Sequence, residues 1–304
     1  MKKTRILLIS DMHYTTEQTG KELKAISPII NGSLANGPIL GYTQKERLDL
    51  MMECIEREHR ESPLDAILIP GDLSIDDYDF RCLPRNYCYG IKKDYLDRLP
   101  VPYHVIPGNH DSYPNVLWQK VFGTPRQFSV VVNGTLFLMA DTYANTPAKS
   151  ASGSPYAPLD LNWVKTEMEK HPDLPTFIVA HFFNPRAEGQ AFADLLASTS
   201  RIRGLFMGHT HRFEVIENNA AFGGKPVFDI GAFSYYTRPT DGVWDFNMFH
   251  SEWRWGYQIL EMDSESFECY HVFPAVHYHA HNGEFDMAEE ITEVKKYPLF
   301  DEKN

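Results

Sequence analysis

Residues 6–13 read Ile6-Leu7-Leu8-Ile9-Ser10-Asp11-Met12-His13. Four aliphatic residues in a row, closed by polar ones, suit a strand buried on both faces. The strand runs into Asp11 and His13, two metal-ligand side chains spaced two apart. In an extended chain that spacing puts both on one face. The same unit returns four times. Ala66-Ile67-Leu68-Ile69-Pro70 runs into Gly71-Asp72, and Tyr103–Pro107 into Gly108-Asn109-His110-Asp111. Thr176–Ala180 runs into His181, and Leu205–Gly208 into His209-Thr210-His211. Ligand-type residues at the carboxyl ends of several strands lie where α/β sheets build their sites.

Helix-like stretches separate these runs. Thr43 with Glu46 forms a capping box ahead of Leu48, Met51 and Ile55, which recur at helical spacing. Tyr87–Leu99 and Ala187–Ala197 read similarly, and Asp160 can cap a helix whose inner face carries Leu161, Val164 and Met168. The alternation predicts an α/β fold. Two hairpin-like pairs break it: Phe128–Val132 with Leu136–Ala140 around Asn133-Gly134, and Tyr257–Met262 with Phe267–Val272 around Asp263–Ser266. The sheets are therefore expected to be mixed. Residues 14–42 form a long Gly/Pro/Asn-containing connection, and 275–304 a polar extension of what is otherwise one domain, 1–304.

Composition narrows the function. The chain has 304 residues, with 29 Lys and Arg against 41 Asp and Glu, for a net charge of −12. That balance argues against a nucleic-acid binder, which needs a positive field to neutralise phosphates. No stretch reaches the ~18 apolar residues of a membrane span, and the apolar run after the basic start stops at Ile9, too short for a signal peptide. The four cysteines (Cys54, Cys82, Cys88, Cys269) have no CxxC spacing and fit a reducing compartment, so the expectation is a cytoplasmic protein.

The donors number two carboxylates, one amide oxygen and four imidazoles, leaving His110 aside. One ion rarely takes so many, and two ions about 3.5–4 Å apart suit in-line displacement at phosphorus by a metal-bridging hydroxide. Nitrogen and oxygen donors without thiolate fit Mn, Fe, Zn, Co or Ni rather than Cu(I), with Mn, Fe or Zn expected. Each piece alone has a plainer reading, since an Asp or His at a strand end is commonly a turn or capping residue. It is the five units together, in order, that point to a metal centre.

The ordered set Asp11-Met12-His13, Gly71-Asp72, Gly108-Asn109-His110-Asp111, His181 and Gly208-His209-Thr210-His211 resembles the calcineurin-like metallophosphoesterase family. Its form is nearest the branch holding the bacterial class III cyclic-nucleotide phosphodiesterases. The resemblance covers Asp11 to His211, about two thirds of the chain. It implies a four-layer αββα sandwich, two mixed β-sheets flanked by helices, with a dinuclear site on one edge. By the same resemblance Asp11, His13 and His211 bind one ion, and Asn109, His181 and His209 the other. Asp72 bridges both, while His110 stays off the metals near the scissile phosphate. Purple acid phosphatases of this superfamily carry an iron-binding tyrosine three residues after the bridging Asp; here Ile75 stands there.

Expected on that basis is a phosphoesterase acting on a small phosphodiester or phosphomonoester. Asn109 could also donate to a phosphate oxygen, and His110 could stabilise developing charge or protonate the leaving oxygen. Asp111 either orients His110 or holds the loop. The alternatives are a nuclease of the same superfamily and a non-catalytic metal-binding scaffold. Other features are weaker. The aromatics of residues 233–256 read as core packing ahead of a substrate wall, and Arg238 as a surface residue ahead of a phosphate contact. His277, His279 and His281 read as part of a solvated extension ahead of a third metal site. Phe182 and Phe183 line the pocket or pack behind it, His104 reads as a satisfied interior histidine, and Asp141 as a turn residue.

Overall fold

A computed structural model describes residues 3–14, 44–74, 87–111, 113–143, 155–233, 252–274, 277–279, 284–286 and 290–300. In chain order the main elements are β1 (Thr4–Leu8), α1 (Gln44–Glu61), β2 (Ala66–Pro70), α2 (Tyr87–Asp94), β3 (Tyr103–Ile106) and α3 (Asn115–Phe122). Then come β4 (Phe128–Val132), β5 (Thr135–Ala140), α4 (Leu161–Lys170), β6 (Thr176–Ala180), α5 (Pro185–Ser198) and β7 (Ile202–Met207). The rest is β: β8 (Val215–Ile216), β9 (Val227–Asp229), β10 (Glu252–Arg254), β11 (Tyr257–Met262), β12 (Ser266–Phe273), β13 (His277–His279), β14 (Glu284–Asp286), β15 (Glu290–Ile291) and β16 (Lys295–Pro298).

Beside a small three-stranded sheet, β10-β13-β14, two mixed sheets form the body. One runs β15-β12-β11-β1-β2-β3, with β16 also on β12; the other runs β4-β5-β6-β7-β9-β8. In the first, β1, β2 and β3 are parallel and β11 is antiparallel to β1. In the second, β5, β6, β7 and β9 are parallel. Residue alternation along each strand sorts the apolar side chains into three layers. Leu7, Ile67 and Ile259 face α1, α2 and α3 with Met51, Ile55, Ile91 and Trp118. Ile6, Leu8, Leu68, Phe137, Phe177, Phe206 and Phe267 meet between the sheets. Leu136, Ile178 and Leu205 face α4 and α5 through Val164, Phe192 and Leu196. This is the four-layer αββα sandwich, and it explains the unbroken apolar runs: each central strand is covered on both sides.

Both expected hairpins form, in register. Asn133 and Gly134 take φ of 48° and 88°, the left-handed pair that a tight two-residue turn needs. Asp160 caps α4, accepting from the amides of Asn162 and Trp163 at 3.0 Å. The helix expected over 87–99 ends at Asp94, followed by a 3₁₀ turn at Leu96–Arg98. The last helix begins earlier than expected, with Asn184 as cap and Pro185 in the first turn. Part of the polar extension adds strands: β15 and β16 pair with β12, and β13 pairs with β10. Phe233 and Trp255 are buried, as expected of packing. Thr43, Ile75, Cys82, Arg238, His281, nearly all of the 14–42 connection and most of the 233–256 aromatics lie outside the described residues.

Candidate metal centre

Strands β1, β2 and β3 end on the same edge of the sandwich as β6 and β7. The loops leaving them are laced together. Asp11 N–H donates to the Gly71 carbonyl (3.2 Å), His13 N–H to the Asp72 carbonyl (3.0 Å), and Gly208 N–H to the His181 carbonyl (2.9 Å). Between the sheets, His209 N–H donates to Asp11 Oδ2 at 3.0 Å. Two glycines make this proximity possible: a Cβ on Gly108 would lie 2.1 Å from Asp72 Oδ1, and one on Gly208 would lie 2.3 Å from Asp11 Oδ2.

Asp11, His13, Asp72, His209 and His211 all have positive φ, between 44° and 69°. Among the described residues, Asn133 and Asn218 are the other non-glycine cases. Left-handed backbone is uncommon for residues other than glycine and collects where structure is held for function. All seven expected ligands come together. His211 Nε2 lies 3.1 Å from Asp11 Oδ1. His13 Nε2 lies 3.6 Å from a carboxylate oxygen of Asp11 and of Asp72. His181 Nε2 lies 3.2 Å from Asp72 Oδ2 and 3.1 Å from Asn109 Oδ1, and His209 Nδ1 lies 2.9 Å from that same amide oxygen. Asp72 thus stands between two clusters. Three groups have ligand atoms mutually within 4.8 Å: Asp11/His13/His211, Asp72/His181/His209, and His13/Asp72/His110.

The donor chemistry fits a metal. His181 Nδ1 is 2.7 Å from the Pro70 carbonyl, so that nitrogen carries the hydrogen and Nε2 presents its lone pair. That lone pair meets the Asp72 and Asn109 oxygens and, at 3.3 Å, His209 Nδ1. Four electron-rich atoms converging on one point need a cation among them, and a proton can serve only one contact well. The electrostatics likewise favour a positive charge at this point, which in metal-free protein is a proton on His181. Burial opposes ionising Asp11 and Asp72, but the rings of His181 and its neighbours outweigh it, so both carboxyls sit below the usual range. Burial depresses His13 to about 4. Burial and the adjacent His181 depress His209 to about 3. His181 overcomes its burial through Asp72 and Asp11 and rises to about 9.

His110 is half-buried at the rim, its ring centroid 5.1 Å from that of His13, and its amide donates to Asp72 Oδ1 at 2.9 Å. Asp111 is fully buried. Its carboxylate accepts from the amides of Leu73 (3.0 Å), Ser74 (2.9 Å) and Gly108 (3.0 Å), stapling the Asp72 loop to the Asn109 loop. Phe182 stands 4.6 Å from the His209 ring, whereas Phe183 packs into the core against Phe192. Two plainer readings need correction. Asp141 is more than a turn residue: Arg126, itself 4 % exposed, grips it through Nε (2.6 Å) and Nη2 (3.2 Å). His104 is part-exposed on edge strand β3, against Phe128, rather than interior.

Two site residues, Tyr143 and Asp229, carried no sequence signal. The Tyr143 ring lies 5.6 Å from that of His181 and 6.2 Å from that of His209. Asp229, fully buried at the end of β9, accepts the Thr210 hydroxyl and the Gly231 amide (3.1 Å), bracing the loop between His209 and His211. Burial pushes the Asp229 carboxyl well up. Thr210 was visible only as the spacer of a motif.

Comparison with known proteins gives the family. The family model for calcineurin-like phosphoesterases matches residues 4–213, and the chain belongs to that family. A curated relative, a probable glycerophosphodiester phosphodiesterase from Arcobacter nitrofigilis, is 23% identical over 190 residues, 57% of this chain and 66% of the relative. The match thus spans just under two thirds of that relative's length. Among solved structures, GAP50, described as the anchor in the inner membrane complex of Plasmodium, aligns with a TM-score of 0.52 at 14% identity, over 98% of this chain and 91% of that one. Vps29 from Entamoeba histolytica aligns at 0.42 and 12% identity, over 97% and 99%. Among the described residues, no helix is long and apolar enough to cross a membrane.

Proposed function

We propose that the chain is a dinuclear metal-dependent phosphoesterase that hydrolyses a small phosphodiester or phosphomonoester. The observation that carries the reading is the convergence of Asp11, His13, Asp72, Asn109, His181, His209 and His211 on one edge, five of them in left-handed backbone. Asp11, His13 and His211 would hold one divalent ion, and Asn109, His181 and His209 the other, with Asp72 shared. Manganese, iron and zinc suit these nitrogen and oxygen donors. Bound metals would supply charge neutralisation and an activated water for in-line attack.

The chain's own residues do the rest. Asn109 offers its amide N–H to a phosphate oxygen while its Oδ1 faces the histidines. His110, at the open side of the centre, stabilises developing charge or protonates the departing oxygen. Asp111 sets the distance between the Asp72 and Asn109 loops, and so positions His110 through the backbone. The acidic surface favours a small substrate over a long polyanion, and the buried free cysteines Cys54, Cys88 and Cys269 suit a reducing cytoplasm.

The test is a panel on Mn-loaded protein: p-nitrophenyl phosphate, its bis ester, cyclic nucleotides and glycerophosphodiesters. The name of the Arcobacter relative puts diesters first. Asp72→Ala and Asn109→Ala should lose metal and turnover together, while His110→Ala should lose kcat and keep its metal. Bound metal with no turnover on any ester would favour a scaffold and sink the enzyme reading.

A further inference from the structure

Tyr143 is the one aromatic hydroxyl beside the centre that the fold leaves uncommitted among the described residues. Its residue is 6 % exposed, and its ring stands against His181 and His209. Among the described residues its hydroxyl makes no hydrogen bond.

Its neighbour shows what a committed phenol looks like. Tyr156, 5.8 Å away ring to ring, bonds Glu188 and accepts the Asn184 amide at 3.1 Å. Tyr143, by contrast, is committed only through its backbone. Its N–H donates to Asp141 Oδ1 (3.1 Å), and its carbonyl accepts from Arg126 Nη2 (3.4 Å). The buried Arg126–Asp141 pair therefore holds the main chain of Tyr143 in place while its hydroxyl is left open. That is the arrangement of a preorganised donor.

We infer that Tyr143 is a substrate-binding residue whose hydroxyl donates a hydrogen bond to a non-bridging phosphate oxygen. It approaches from the His181/His209 flank, whereas His110 stands beside His13. This rests on the phosphoesterase reading above. A phenol is neutral at pH 7 and can donate without adding charge next to Asp11 and Asp72. No bond is made or broken at the tyrosine.

The experiment is Tyr143→Phe in the Mn-loaded 304-residue chain, followed by four readouts. Bound metal and melting temperature should match wild type, because the hydroxyl makes no hydrogen bond among the described residues. The affinity for inorganic phosphate, measured by calorimetry without turnover, should fall about 10- to 100-fold, and kcat/KM on the best ester by a similar factor, as for a hydrogen bond to a charged group. Unchanged phosphate affinity and kcat/KM in the variant, with wild type active, would overturn the inference and leave the enzyme reading standing. Loss of metal from the variant would overturn it too, since Tyr143 would then act through the ligands. If wild type neither binds phosphate nor turns over any ester, both readings fall together.

Discussion

At Asp11, His13, Asp72, His209 and His211 the chain accepts a backbone conformation that costs on the order of 1 kcal/mol or more at each position. The close-packed glycines beside them are what permit it. Gly208→Ala would put a methyl 2.2 Å from Ser10 Oγ and 2.3 Å from Asp11 Oδ2. The expected outcome is a folded protein whose Mn affinity, titrated by calorimetry, drops at least tenfold, because Asp11 must move. Ligand identity was legible at this scale, since the seven predicted ligands follow five apolar strands. Tyr143, Asp229 and the partner of Asp141 were not. Each acquires meaning only from residues distant in sequence, and a Tyr or Asp after a strand carries no mark of what will face it.

Within elements, the Arg126–Asp141 pair ties the segment after α3 to the end of β5, and Arg126 also reaches the Tyr113 carbonyl. Removing one partner of a buried pair leaves the other charged in a dry site, at a cost of about 3–5 kcal/mol. Arg126→Ala should lose stability of that order in urea unfolding. It should also weaken phosphate binding as Tyr143→Phe does, because the backbone of Tyr143 is released. A milder case is Asn184→Ala, which removes the cap of α5 at about 1 kcal/mol. The Asn184-Pro185 dipeptide could have shown where that helix starts, had the cap been weighed above the apolar spacing. The pairing of β15 and β16 with β12 had no such marker: their residues are polar because they lie at a sheet edge, where alternation fades.

Across the molecule, the centre links stability to both pH and metal. In metal-free protein, His181 is raised to about 9 from 6.5, so its contribution is full below 6.5 and lost as pH climbs through 9. His13 and His209 are depressed to about 4 and 3, so their contribution is present above 6.5 and lost as pH falls through those values. Asp11 and Asp72, depressed as well, add an acid loss below 3.8. The melting temperature of chelator-treated protein should therefore peak near pH 6.5. Adding Mn should raise it and abolish the alkaline decline, since the cation replaces the proton among the lone pairs around His181. Metal at about a hundred times its Kd adds about 2.7 kcal/mol, a shift of several degrees by scanning calorimetry. A persistent alkaline decline at saturating Mn would contradict the assignment of His181.

What the amino-acid order determined by itself was the periodic content: apolar runs too continuous for one-faced strands, turns at Asn133-Gly134 and Asp263–Ser266, and ligand residues at strand ends. These are local, because burial on both faces and turn geometry are written in neighbouring residues. Only the tertiary structure decided which loops share an edge. It set Tyr143 against His181 and His209, and put Asp229 under Thr210. Those contacts join residues far apart in sequence, and only the closing of the two sheets over the Phe177 and Phe206 layer sets the distances between them.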